Sequence, residues 1–134
     1  MDVLFVAGVT PIATDPAASA DFYRDGLGLP LEGDEYLATE RLDGVKHMGV
    51  WPLEHAARSC FGVAAWPADL PVPQATIEFE LAGPGAVAEG AAELEALGHT
   101  LIHGAREEPW GQTVARLLGP EGLLIGLSYA PHLH

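Results

Sequence analysis

The stretch FVAGVTPIATDPAASADFYRDGLG, residues 5–28, is echoed later in the chain by ATIEFELAGPGAVAEGAAELEALG, residues 75–98. In the first copy an apolar, strand-like run from Phe5 to Ile12 leads through Asp15-Pro16 into a helical stretch, Ala17 to Arg24, and then to Leu27-Gly28. In the second, Ala75 to Leu81 leads through Gly83-Pro84 into Ala86 to Ala96, and then to Leu97-Gly98. A repeated order of signals marks two similar structural halves. The helix boundaries have physical causes. Asp15 can cap the first helix, Pro16 and Pro84 suit first helical positions, and Gly26 and Gly98 can end the two helices. Helical spacing predicts buried stripes of Ala18, Phe22 and Leu27 in the first, and of Val87, Ala91, Leu94 and Leu97 in the second.

Strand signals follow each helix. Tyr36 to Leu42 and Val45 to Trp51 flank Asp43-Gly44, which predicts a hairpin with a tight two-residue turn. Gln112 to Leu118 and Leu123 to Tyr129 flank the longer loop Gly119-Pro120-Glu121-Gly122. Each half therefore reads strand, helix, then about three strands. Between them Leu53 to Cys60 is helix-compatible, and Trp66 to Pro73 carries three prolines that disfavour regular structure. The chain divides into module one, about 1–52, a linker, about 53–73, and module two, about 74–130, within one domain over 1–134. The expected fold class is α+β: two βαβββ modules forming a curved mixed sheet, with helices on the outer face and a concave ligand cleft.

Composition narrows the function. A net charge of −13, with only six Lys and Arg scattered along the chain, excludes a phosphate-backbone partner and disfavours an anionic membrane surface. No apolar run reaches the length of a bilayer span, and Met1-Asp2 lacks the basic start of a secretory signal, so a cytoplasmic location is expected. A lone cysteine, Cys60, allows neither an intrachain disulfide nor a cysteine-based zinc site, and reads as a small buried hydrophobe. Phosphate loops, serine nucleophile elbows and paired cysteines are all missing.

The strand-helix-strand-strand-strand order, with Asp21-Phe22-Tyr23 before Gly26-Leu27-Gly28-Leu29-Pro30 and with Glu108-Pro109-Trp110-Gly111 before Leu118-Gly119-Pro120-Glu121-Gly122, resembles the vicinal-oxygen-chelate superfamily of glyoxalases, extradiol dioxygenases and bleomycin-resistance proteins. The resemblance covers essentially the whole chain. It implies a homodimer, and, in the family's enzymes, a divalent ion held by His, Gln or Glu from the first and last strands of each module. Such ligands must offer nitrogen or oxygen lone pairs from a side chain. The corresponding positions here fall at or near Gly8 and at Gly126, with Thr76 as the start of the second module or Gln74 if the register slips by two. No metal and no cofactor are expected.

Without a metal the cleft must bind by apolar contact, stacking and a few placed polar groups. Trp51, Trp66 and Trp110 stand near strand ends or in loops, and Trp110 in its Glu107-Glu108-Pro109 setting resembles the indole-bearing segment of bleomycin-resistance proteins. His47 stands on a strand that borders the cleft, sharing its face with Val45, Gly49 and Trp51. Glu40 would meet a cation and Arg116 a carboxylate or phosphate, and Tyr36 and Phe61 are weaker candidates. The six histidines offer no other ligand set; His132 and His134 are expected on a frayed tail. The leading expectation is a protein that binds or sequesters an organic small molecule, cationic or aromatic, as in bleomycin-type resistance. The alternative is an enzyme on the same fold: a divergent metal-dependent lyase or dioxygenase, or a metal-free isomerase using His47 or a carboxylate.

Overall fold

The computed structural model describes residues 1–134. Seven strands form one sheet: β1 (Phe5–Ala13), β2 (Leu37–Thr39), β3 (His47–Pro52), β4 (Ala75–Glu80), β5 (Leu101–Glu107), β6 (Thr113–Leu118) and β7 (Leu124–Tyr129). Their order across the sheet is β2-β3-β1-β4-β7-β6-β5. Each half repeats one rule. The first strand lies parallel to the last of its own half, β1 beside β3 and β4 beside β7, and the halves join through the antiparallel pair β1 and β4.

Strand alternation sorts the side chains into two sets. On the convex side α3 (Pro84–Ala96) sets Val87 and Ala91 against Leu81, Ala115 and Leu127, and full burial of side chains such as Leu81 and Val87 is worth about 1.5–3 kcal/mol each. Gly90 faces Met1 Sδ, Leu127 and Leu81, so the helix approaches the sheet where a Cβ would be tight against the Met1 sulfur. Leu97, expected on this stripe, is 71% exposed, because the helix ends there and Gly98 turns the chain away with a φ of +95°.

The first helix departs from the expected pattern. After α1 (Pro16–Ala20), whose capping Asp15 accepts from Ala18 N at 3.2 Å, the chain widens into a π-helical turn, Asp21–Gly26, closed by Leu27 N donating to Phe22 O. A π turn rotates the following side chains off the 3.6-residue stripe. Phe22 and Leu27 are therefore exposed, as is Ala18 on α1, and Ala20, Tyr23 and Leu29 pack instead on Ala13, Leu31, Leu37 and Val50.

The first hairpin also differs. β2 and β3 pair from Leu37–Val50 to Thr39–Met48, and residues 40–46 form a wide loop in place of a two-residue turn. Thr39 Oγ1 takes the amide of Arg41 at 3.0 Å, which draws the chain out of the ladder before Asp43-Gly44 is reached. Gly44 keeps the positive φ, +93°, within that loop. The strand ahead of β2 is reduced to a single bridge, Glu32 to Ala38.

A third helix, α2 (Leu53–Phe61), follows β3 directly. Ala56 and Cys60 pack with Ile12 and Leu124, and Trp51, Leu53, Phe61, Trp66, Ile102 and Leu118 close around them. Ile12 and Leu124 belong to the concave set, so α2 plugs one end of the trough. Burial pushes the Cys60 thiol pKa up, with the opposing Arg116 charge smaller, which keeps it a neutral packing group. The tail is not frayed: a 3-10 turn, Pro131–Leu133, folds back over the sheet, and His134 Nε2 meets the fully buried Glu80 at 2.8 Å.

Candidate functional site

The trough of the sheet holds a cavity of about 640 Å³. One row of paired residues crosses its floor: His47 beside Gly8, Gly8 beside Glu78, Glu78 beside Gly126, Gly126 beside Arg116, and Arg116 beside His103. The two glycines leave gaps in the row, and polar side chains stand around them. Module two's first strand contributes Glu78, not Thr76, opposite both Gly8 and Gly126; the expected register was two residues short, within the same face.

On the first wall Tyr36 Oη lies 2.7 Å from His47 Nε2, and His47 Nδ1 lies 3.5 Å from Glu40 Oε1. Gly49 makes this possible, since a Cβ there would collide with the Tyr36 hydroxyl. Burial drives the Tyr36 pKa up to about 12, with Glu78 and Glu40 adding to it and a hydrogen bond to Thr10 opposing, so the phenol stays protonated.

On the floor Gln112 is fully committed. Its Oε1 accepts from the indole Nε1 of Trp110 at 2.8 Å, while its Nε2 donates to Glu78 Oε2 and, at 2.9 Å, to Ser128 Oγ. An indole N–H can only donate, so this orientation of the amide is fixed. Trp110 is held at the rim, 55% exposed.

The second wall carries a buried charge cluster. Arg116, 1% exposed, donates from Nη1 to Glu108 Oε1 and to Ser59 Oγ, both at 2.9 Å, with His103 Nε2 at 3.3 Å. Its guanidinium stacks on Trp51 at 5.3 Å. Burial pushes the Glu108 carboxyl upward, but the hydrogen bond and charge of Arg116, with Ser59 and Arg106, outweigh it and leave the pKa below the ordinary range. His103 is lowered, chiefly by burial and then by the Arg116 and Arg106 charges against the Gly104 hydrogen bond. Arg116 can only donate, so His103 Nε2 accepts and Nδ1–H faces Gly104 O at 2.8 Å.

Of the residues singled out in the sequence, Tyr36, His47, Trp51, Trp110 and Arg116 stand on the cavity wall. Two do not. Trp66 donates Nε1 to Pro71 O at 2.9 Å and meets Phe61 edge-on at 4.9 Å, so it covers α2 and not the cleft. Glu40 sits outside the wall, held by His132 at 2.8 Å and touching the cleft through the wall residues His132 and His47. Val45, expected beside His47, lies in the loop before β3. Glu78, Glu108, Gln112, Ser59, Arg58 and His55 line the cavity without having been singled out as cleft residues. The α2 residues had no signal in sequence, because which face of a linker helix meets a sheet is a tertiary outcome.

The sequence model of the Glyoxalase/Bleomycin resistance protein/Dioxygenase superfamily matches residues 8–127. The chain belongs to that superfamily. A superfamily member from Vibrio splendidus 12B01 shares its fold at TM-score 0.58 and 16% identity, over 95% of this chain and 99% of that one. Methylmalonyl-CoA epimerase from Streptomyces coelicolor, solved as a single-site variant with 2-nitronate-propionyl-CoA, gives 0.59 and 20% over 97% and 99%. The Mn(II)-bound glyoxalase from Novosphingobium aromaticivorans gives 0.59 and 12% over 95% and 38%. No curated protein matches the chain.

The residues present do not fit the superfamily's divalent ion. Of the four positions on β1, β3, β4 and β7, two are Gly8 and Gly126, which leaves His47 and Glu78 as side-chain donors. A Cβ at Gly8 would lie 3.0 Å from His47 O, and one at Gly126 would lie 3.0 Å from Glu78 Cγ, so a side chain at either place would be tight against its neighbour. No three His, Cys, Asp or Glu side chains converge on one point.

Proposed function

We propose that the chain binds a drug-sized organic molecule in its concave cleft, without a family-type divalent ion, and holds it without transforming it. The observation that carries this reading is the floor row: glycines stand where the superfamily's enzymes need ligands, and the room so left is walled by Trp51, Tyr36 and Trp110. The volume of about 640 Å³ falls within the range of small-molecule sites. A glycopeptide of the bleomycin type could insert only a planar arm, with Trp110 at the rim stacking on it. Sequestration of such a drug is the finer form of the proposal. The test is tryptophan quenching and melting temperature against a panel of planar aromatic compounds and bleomycin. A bound ligand at about a hundred times its Kd raises stability by about 2.7 kcal/mol. A flat response across the panel would refute the proposal.

A second reading is favoured by the Tyr36–His47–Glu40 chain, which could move a proton in or out of the cleft from Tyr36 Oη through both nitrogens of His47. It makes the chain a metal-free isomerase or lyase. Incubating the molecule that copurifies with the protein in D2O separates the two: mass gain with wild type, lost in His47→Gln, supports proton transfer. No mass gain favours simple holding.

A further inference from the structure

The chain's few cations gather at one end of the cleft, opposite Glu78 on the floor. Six Lys and Arg face nineteen Asp and Glu in the chain, yet Arg58 and Arg116 line the cavity and Arg106 joins Arg116 through Glu108. Arg24 and Arg41 are tied elsewhere, to Asp25 and Glu32. Glu108 is the one carboxylate drawn into the cluster, so two positive charges there are left over. Arg58, exposed on α2, makes no ion pair.

Arg116 is only half used. Nη1 serves Glu108, Ser59 and His103, while Nε is buried with no partner and Nη2 meets no acceptor in the chain. Nε and Nη2 are the parallel donors of the side-on guanidinium fork, the same pair that Arg24 presents to the two oxygens of Asp25 at 3.0 and 3.3 Å. A buried donor left unpaired calls for an acceptor. Thr76 Oγ1 is a second buried group on the cavity wall without a partner. Glu78 reaches over Gly126 from the other side, and its carboxylate is taken up by Gln112 and makes no hydrogen bond to Arg116.

We propose that this end of the cleft seats the oxyanion head group, carboxylate or phosphate, of an aromatic or apolar ligand, with the Arg116 fork as anchor and Arg58 as a second cation above it. The inference rests on the binding reading given above and replaces the cationic ligand that net charge alone suggests. The acidic exterior acts through screened solvent, whereas a contact made inside the cleft is screened much less.

Four probes of one shape test it by calorimetry: 2-naphthoate, 2-naphthyl phosphate, 2-naphthamide and 2-naphthylmethylammonium. An oxyanion should bind at least about tenfold tighter than the amide, with the ammonium weakest, and the tighter of the two oxyanions identifies the head group. Arg58→Ala should weaken the oxyanion about two- to fivefold, and the double change Arg116→Met with Glu108→Leu about tenfold or more, both sparing the amide. Should the double variant fail to fold, the exposed Arg58 carries the comparison. Equal affinity for naphthoate and naphthamide, or tightest binding of the ammonium, overturns the oxyanion site while leaving binding intact. Silence from all four probes overturns both.

Discussion

Replacing Glu108 by Ala would leave the Arg116 guanidinium charged, 1% exposed and without its carboxylate. The carboxylate lies 2.9 Å from Nη1, and charge centres about 4 Å apart at an effective dielectric near 20 attract by roughly 4 kcal/mol. Breaking a buried pair from one side costs about 3–5 kcal/mol, because desolvation of the survivor is no longer offset. Ser59 loses its acceptor in the same step. The expected loss for Glu108→Ala is therefore about 3–5 kcal/mol in urea unfolding, or about 10–20 °C in Tm for a chain of this size. The double change Glu108→Leu with Arg116→Met removes both charges and fills the space with apolar atoms, and should lie within about 1.5 kcal/mol of wild type. A single variant that loses under about 1 kcal/mol would refute the reasoning, as would a double variant as unstable as the single.

Three further expectations follow from the same contacts. Glu108 and His103 both hold folded-state pKa values below their ordinary 4.5 and 6.5, so the unfolded chain takes up protons first. Their contributions are present above those values and lost as pH falls through them: Tm should start to decline near pH 6.5, with a further fall beginning near 4.5, and His103→Gln should abolish the first step. Gly49→Ala should displace the Tyr36 hydroxyl from His47 and cost about 1–3 kcal/mol, read by denaturation together with the loss of the Tyr36–His47 hydrogen bond by NMR. His134→Ala should cost about 1–3 kcal/mol in urea, since Glu80, fully buried, keeps only the Ala130 amide as donor; a neutral result would mean that water serves Glu80 as well.

The repeat was legible because its signals are local: Asp15 and Pro16, Pro84, Gly98 and alternating strands each act within a few residues. Where the reading failed, a nonlocal or competing contact decided. The π turn at Asp21–Gly26 moved Phe22 outward, and the Thr39 hydroxyl unpicked the ladder before Asp43-Gly44. Gly8 and Gly126 follow from counting back from Asp15-Pro16 and on from Gly122, whereas the same count from Gly83-Pro84 lands on Thr76 and not Glu78, because the chain from Glu78 to Pro84 is two residues shorter than that from its partner Gly8 to Pro16. His47, Trp51 and Arg116 followed from strand parity. The α2 contribution, Ser59 and Arg58, depends on where a helix lands after a strand, which periodicity does not encode.

Ligand affinity measured with and without a chelator tests the central claim most directly. Wild-type protein, stripped and assayed in EDTA by calorimetry, should bind 2-naphthoate or a better ligand from the panel at about one per chain, with the same Kd once the chelator is removed and Mn(II) or Zn(II) is added. Binding that appears only when a divalent ion is returned would contradict it, and would place a metal where Gly8 and Gly126 offer none.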